Sequence, residues 1–314
     1  MTIQEYLAWN QVNDENLSFL KAIGVDYLAV YPAPDMSDGE DRTQFWLKMR
    51  DFVESYGLKL QNVGQHGWDS ITLGLPDRNE KIEAWCIMLR NLGAAGIPTL
   101  GYNFKPIGNF RTTPTRGRGG SSYSTFDYDE FMQNPPHYPD KQISEEKLWE
   151  NLEYFLKRVI PVAEETGVKM ALHPDDPPIP EPLEGAARII STLENYQRIS
   201  NLVQSDCNGM LFCQGCVAEM GADVYEAIRK FGSQNKIIYV HFRNIRGTPH
   251  KFQEVFLDEG DVDMFLAMQT YRDVGFQGPF MMDHTPRLSQ EKAPWAGRAF
   301  AVGYIRAMIQ AVYR

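Results

Sequence analysis

Short apolar runs alternate with longer amphipathic stretches along this 314-residue chain, and that alternation limits the available folds more than any other feature. Eight runs read as strands: EYLAW, DYLAVY, LKLQNV, TLGYNF, KMALHP, NGMLFC, IIYVHF and PFMMDH. Between them lie stretches with helical spacing of apolar residues, such as DENLSFLKAIG, DRTQFWLKMRDFVESYG and EEKLWENLEYFLKRVIPVAEETG. Gly24, Gly57, Gly167 and Gly232 stand at the ends of four such stretches, where helices often close on a left-handed glycine. Strand and helix repeated eight times predict an α/β chain, a (β/α)8 TIM barrel forming a single domain over residues 1–314. An open doubly wound sheet shares the alternation. It is disfavoured because no glycine-rich phosphate turn follows the first strand and no composition break marks two halves.

One segment breaks the rhythm. Residues 105–140, KPIGNFRTTPTRGRGGSSYSTFDYDEFMQNPPHYPD, are rich in Gly, Pro, Ser and Tyr and show no helical period. They read as a long irregular insertion after strand 4, at the barrel face where enzymes build sites from the loops that follow strands. Arg111, Arg116 and Arg118 in this segment are candidates to meet an anionic substrate, with a solvated loop as the plainer alternative.

The formal net charge of −10 argues against a polyanion as partner, so nucleic acid is not expected. No uninterrupted apolar run is long enough to cross a membrane and the first residues lack a basic, then apolar, leader pattern; a cytoplasmic protein is expected. Cys86, Cys207, Cys213 and Cys216 are too few for a disulfide scaffold and read as free thiols or metal ligands. A small-molecule substrate and association with copies of itself are the expected partnerships.

The barrel reading gives meaning to the polar residues at the strand ends. The fifth strand ends at His173, the sixth at Cys213, the seventh at His241 and the eighth at Asp283. Consecutive strands end side by side on the rim, so two imidazoles, a thiolate and a carboxylate would share one volume and suit a divalent metal. Taken singly, each has a plainer explanation as a hydrogen-bonded or buried structural residue. Cys207 precedes the strand and Cys216 lies past the QG turn, which leaves Cys213 as the thiol at the strand end. Asp175 and Asp176, in the HPDDPP segment, are expected to face the same pocket, although Asp and Pro are also ordinary turn residues.

The blocks GYNFKP, IPVAEETGVKMALHPDDPP, RIISTLENYQRI, NGMLFCQG, IYVHFR, GDVDMF and MDH run in an order that resembles the mannonate dehydratase family. The resemblance covers most of the chain from about Gly101 onward and more weakly the region near WNQVNDENLSFLKAIGVDYLAV. It implies a lyase of hexuronate catabolism that removes water from D-mannonate to give 2-keto-3-deoxy-D-gluconate. It also implies Mn²⁺ or Fe²⁺ held by His173, Cys213, His241 and Asp283, with His284 in proton transfer.

Two departures stand out. Met281 takes the place of an arginine in the family's eighth-strand block, and Met282 that of a proline. Trp295 occupies the place of a tyrosine credited with acid/base chemistry, a role indole cannot fill. Arg243, Tyr123 and the arginines of the insertion are the candidates to supply the missing functions, with a closely related sugar or sugar derivative as substrate the equal alternative. Asn103, Tyr123 and Trp295 are expected at the substrate along with Asp175 and Asp176. The alternative function is a metal-dependent sugar isomerase or epimerase of the xylose-isomerase-like barrel type, which the cysteine ligand counts against. A phosphodiesterase or DNA-repair barrel and a sugar-binding relic rank below both.

Overall fold

The computed structural model describes residues 1–288 and 295–313. Eight parallel strands form one sheet: β1 Gln4–Leu7, β2 Tyr27–Val30, β3 Lys59–Gln65, β4 Thr99–Tyr102, β5 Lys169–Leu172, β6 Asn208–Cys213, β7 Ile237–His241 and β8 Phe280–Met281. The ends of the sheet meet where Ile3 bridges Phe280 and the Phe280 N–H donates to the Thr2 carbonyl. All eight expected strands are present, and the chain adopts the xylose-isomerase-like barrel.

Side chains on a strand alternate in direction, and this places the interior. On the last four strands, Ala171, Leu211, Tyr239 and Met281 form one apolar layer inside the barrel. Leu172, Phe212, Val240 and Phe280 point outward under the helices in the main core. Burying each of those large outward side chains contributes about 2 kcal/mol. Gly101 on β4 is required by this layer, because a Cβ there would lie 2.2 Å from the Tyr239 hydroxyl.

The helices follow the sequence pattern. Asp14–Ala22, Thr43–Ser55, Arg78–Ala94 and Glu145–Thr166 cover the sheet, the last capped by Ser144 and ended by left-handed Gly167. Gly232 departs from expectation: it is the last residue of helix Val224–Gly232, packed close to Val274, and the left-handed residue is Asn235.

The insertion is not irregular throughout. Thr115–Arg116 and Ser122–Asp127 pair antiparallel, and Ser122–Asp127 pairs in turn with Lys251–Val255, which forms a hairpin with Asn244–Thr248. One helical turn, Tyr128–Phe131, follows, capped by the Asp127 carboxylate. Phe126 stacks near Phe252 at 5.7 Å, inside a small core with Ile107, Phe110 and Ile179. The segment looks like a loop in isolation because its pairing partner lies far along the chain.

Candidate active site and metal centre

A cavity of about 420 Å³ opens at the C-terminal ends of the barrel strands. His173, His241, Asp283, His284, Asp176 and Asn103 line it. The alternation that sets the interior layer explains the donors: His173, Cys213, His241 and Asp283 each stand two residues beyond Ala171, Leu211, Tyr239 and Met281. They form the next layer toward the rim.

Two groups of donor atoms overlap at one sulfur. Cys213, His241 and Asp283 have ligand atoms within 4.8 Å of one another, and so do His173, Cys213 and Cys216. The His173 and His241 rings lie 5.3 Å apart between centroids. His173 Nδ1 donates to the Pro174 carbonyl at 2.7 Å, which leaves Nε2 with its lone pair free to bind a metal. Both ring nitrogens of His241 are buried without a hydrogen-bond partner, although Nδ1 lies 3.3 Å from Asp283 Oδ1. An orphaned imidazole beside a thiolate and a carboxylate fits a divalent ion.

Local electrostatics favour the charged forms of Cys213 and Asp283, and also of His241, where burial is outweighed by Asp283 and Cys213, which raise the imidazole to about 9, so a bound ion would displace its proton. Burial alone would push the Cys213 thiol up. The Cys216 thiol and the Arg243 guanidinium outweigh it and hold Cys213 well below the usual range. Burial likewise opposes the Asp283 charge, and the imidazoles of His241 and His284 overcome it, so its carboxyl stays well below the ordinary value. Asp283 sits at φ 67, a left-handed conformation that costs a non-glycine residue about 1–2 kcal/mol. Asp is among the side chains that tolerate it best.

Behind the donors lies a buried ionic cluster. Arg243 sits 2.5 Å from Glu219, 3.1 Å from Asp283, 3.3 Å from Glu254 and 3.5 Å from Asp176, and donates to Cys216 Sγ at 3.1 Å. Gly215 is required beside it, since a Cβ there would meet Arg243 Nη1 at 2.5 Å. Arg111 binds Asp176 at 2.7 Å and also pairs with Glu254. Burial would raise the Asp176 pKa, but Arg111 and Arg243 bring it well below the usual carboxylate range. Burial pushes Glu219 up to about 8 against the pull of Arg243. His284 stands at the open side, with Nδ1 3.3 Å from Glu254 and Nε2 3.3 Å from Asp283.

Several expected residues lie elsewhere. Arg243 is fully buried among carboxylates and does not line the cavity, because its charge is consumed beneath the site. Asp175 is buried beside the pocket, with Oδ2 accepting from the Ile190 N–H. Tyr123 is turned away into a cluster with Val255 and Phe256, where its hydroxyl bonds Glu259. Trp295 packs on Phe19 at 5.2 Å, outside the cavity lining, while Ala293 and Pro294 of the APWAGR block lie outside the described residues. None of the three insertion arginines lines the cavity: Arg111 is spent on Asp176 and Glu254, Arg118 on Asp258, and Arg116 is exposed. Cys216 is not beyond a turn. It lies in helix Gln214–Glu219, close enough to bring its thiol to Cys213.

Tyr31, His66 and Lys105 line the cavity and were missed. Tyr31 and His66 meet at 3.2 Å through the hydroxyl and Nε2, at the ends of the second and third strands. All three follow the ends of the second, third and fourth strands, so the strand-end pattern of the last four strands extends to them. Glu254 and Glu219 carry no such signal.

The family model described as D-mannonate dehydratase (UxuA) matches residues 39–137 and 136–314. A mannonate dehydratase of Thermotoga petrophila is 34% identical over 310 residues, covering 85% of each chain. Mannonate dehydratase 2 of Halalkalibacterium halodurans is 34% identical over 301 residues, covering 85% of this chain and 86% of its own. The crystal structure of mannonate dehydratase from Streptococcus suis superposes with a TM-score of 0.89 at 31% identity, over 100% of this chain and 95% of that one. D-Psicose 3-epimerase from Clostridium cellulolyticum shares the fold at a TM-score of 0.64 and 15% identity, over 99% of each chain.

Proposed function

The chain belongs to the mannonate dehydratase family, and from that premise and the pocket geometry we propose that it removes water from D-mannonate to give 2-keto-3-deoxy-D-gluconate. The observation that carries this reading is that two overlapping donor groups, His173–Cys213–Cys216 and Cys213–His241–Asp283, meet at Cys213 beside a sugar-sized cavity lined by His173, His241 and Asp283. These four residues would hold Mn²⁺ or Fe²⁺, since a mixed N, O and S set suits either. Such an ion supplies Lewis acidity, making the C2 proton of a chelated 2-hydroxy acid easier to remove and offsetting the charge that develops.

Three tasks fall to the chain's own groups: taking the C2 proton, protonating the departing C3 hydroxyl, and holding the remaining hydroxyls. His284 takes the proton role in this reading. It is half-exposed on the cavity wall, and an Nδ1–H directed at Glu254, 3.3 Å away, orients the ring and leaves Nε2 to carry the lone pair. A general base needs that lone pair together with reach to the proton. Asn103 and the Tyr31–His66 pair offer hydrogen bonds to the sugar hydroxyls. Asp176, held charged by Arg111 and Arg243, supports the wall and aligns the ionic cluster behind it. Loss of C2–H and of C3–OH as water leaves an enol that rearranges to the keto acid, so no redox partner is needed.

Arg243 acts from behind the donors and orients Asp283, a role distinct from substrate contact. The test is incubation of Mn²⁺-loaded protein with D-mannonate. Stoichiometric 2-keto-3-deoxy product is expected. Exchange of solvent deuterium into recovered sugar acid without water loss would instead favour the epimerase chemistry.

A further inference from the structure

Lys105 is the one lysine or arginine among the described residues that line the cavity. It stands three residues beyond the end of β4, whose neighbour β5 leads into His173. Its ammonium bonds the Asn109 side-chain oxygen. Among the described residues no carboxylate lies within ion-pair distance of it, because the nearby acids are engaged elsewhere. Asp175 accepts from the Ile190 N–H and lies near Arg188, and Asp176 is held by Arg111 and Arg243.

The arginines of the region contact protein groups and none of them lines the cavity: Arg111 meets Asp176 and Glu254, Arg188 the Pro177 carbonyl, and Arg243 Glu219. Lys105 alone keeps hydrogen-bonding capacity facing the cavity, since an ammonium carries three donors and one neutral partner uses one of them. A partly desolvated cation without a counter-charge is costly, and an incoming anion relieves that cost. Burial lowers the pKa of the ammonium in keeping with this. Met281, on the eighth strand, contributes only a buried thioether to the same cavity.

We infer that Lys105 is a specificity-determining residue that pairs with the carboxylate of a sugar acid, so that the cavity favours aldonic acids over neutral polyols of the same length. This rests on the dehydratase reading for the reaction, but it concerns recognition and is tested separately. Manganese-loaded wild-type protein and its K105Q and K105R variants are titrated calorimetrically with D-mannonate and with D-mannitol. Replacement of the charge in K105Q is expected to weaken D-mannonate binding about ten- to a hundredfold, the usual size of a lost charge-assisted hydrogen bond. K105R is expected to stay within about threefold of wild type, with D-mannitol binding and bound manganese unchanged in both variants.

Equal D-mannonate affinity in wild type and K105Q overturns the inference, as does a parallel loss of D-mannitol binding or no measurable D-mannonate binding by any of the three. Where wild type turns over, KM rises in K105Q while kcat stays within a few-fold. Wild-type protein that binds D-mannonate but forms no keto acid sinks the dehydratase reading alone, and the titration still decides the role of Lys105.

Discussion

Arg243 Nε lies 3.1 Å from Asp283 Oδ2, so a fully buried guanidinium is tied to the carboxylate that ends the last barrel strand. The same guanidinium is 2.5 Å from Glu219 and 3.3 Å from Glu254. One residue thereby links the donor layer, the helix after β6 and the sheet over the rim.

Replacing Arg243 with Met should therefore destabilise the fold strongly. Removing one side of a buried ionic cluster leaves the other charges uncompensated, at about 3–5 kcal/mol. Arg243→Lys keeps the charge but loses the planar fork and should fall between. Urea unfolding of the metal-free proteins measures this, and a loss below about 1 kcal/mol for the Met variant would count against the account.

The two neighbouring thiols make separable predictions. Cys213→Ser should reduce manganese affinity by more than about a hundredfold, because the change removes a thiolate ligand itself, and loss of supporting partners alone costs ten- to a hundredfold. Cys216→Ser should lose less, at most about ten- to a hundredfold, because Cys216 supports the Cys213 thiolate and a serine hydroxyl can still donate to it. Metal content after dialysis decides between them. Retention by the first variant and loss by the second would reverse the assignment.

His284→Asn should lower kcat by about 10²–10⁴-fold, the usual worth of a general acid or base. Bound metal and KM should change little, because His284 lies at the open side and the donor set remains. A variant with wild-type kcat would exclude it from proton transfer.

Glu5 predicts a pH dependence of stability. Burial pushes its carboxyl up to about 7, with Arg298 opposing. Between the unfolded value near 4.5 and about 7 the folded chain binds more protons, so unfolding free energy falls as pH rises through that window and levels off above it. The slope from this group is at most about 1.4 kcal/mol per pH unit. Glu5→Gln should flatten the curve in denaturant titrations between pH 5 and 8, as read against roughly that limit. An unchanged slope would remove Glu5 as its source.

The amino-acid pattern by itself determined the eight strands and the four polar residues that follow the inward layer on the last four of them. Both depend on local periodicity: a strand alternates its faces, so a polar residue two positions past an inward apolar one must face the barrel mouth. His173, Cys213, His241 and Asp283 could be picked out on that ground alone. Tertiary structure decided what surrounds them. Ser122–Asp127 becomes a strand only because Lys251–Val255 arrives to pair with it, and that pairing brings Glu254 to His284. Arg243 turned from a cavity residue into a buried one because Glu219, Glu254 and Asp176 converge on it from three separate segments. Lys105 faces the cavity without a carboxylate partner, because nearby Asp176 is already held by Arg111 and Arg243. Charge pairing between distant segments is a property of the folded arrangement, and local periodicity carries no record of it.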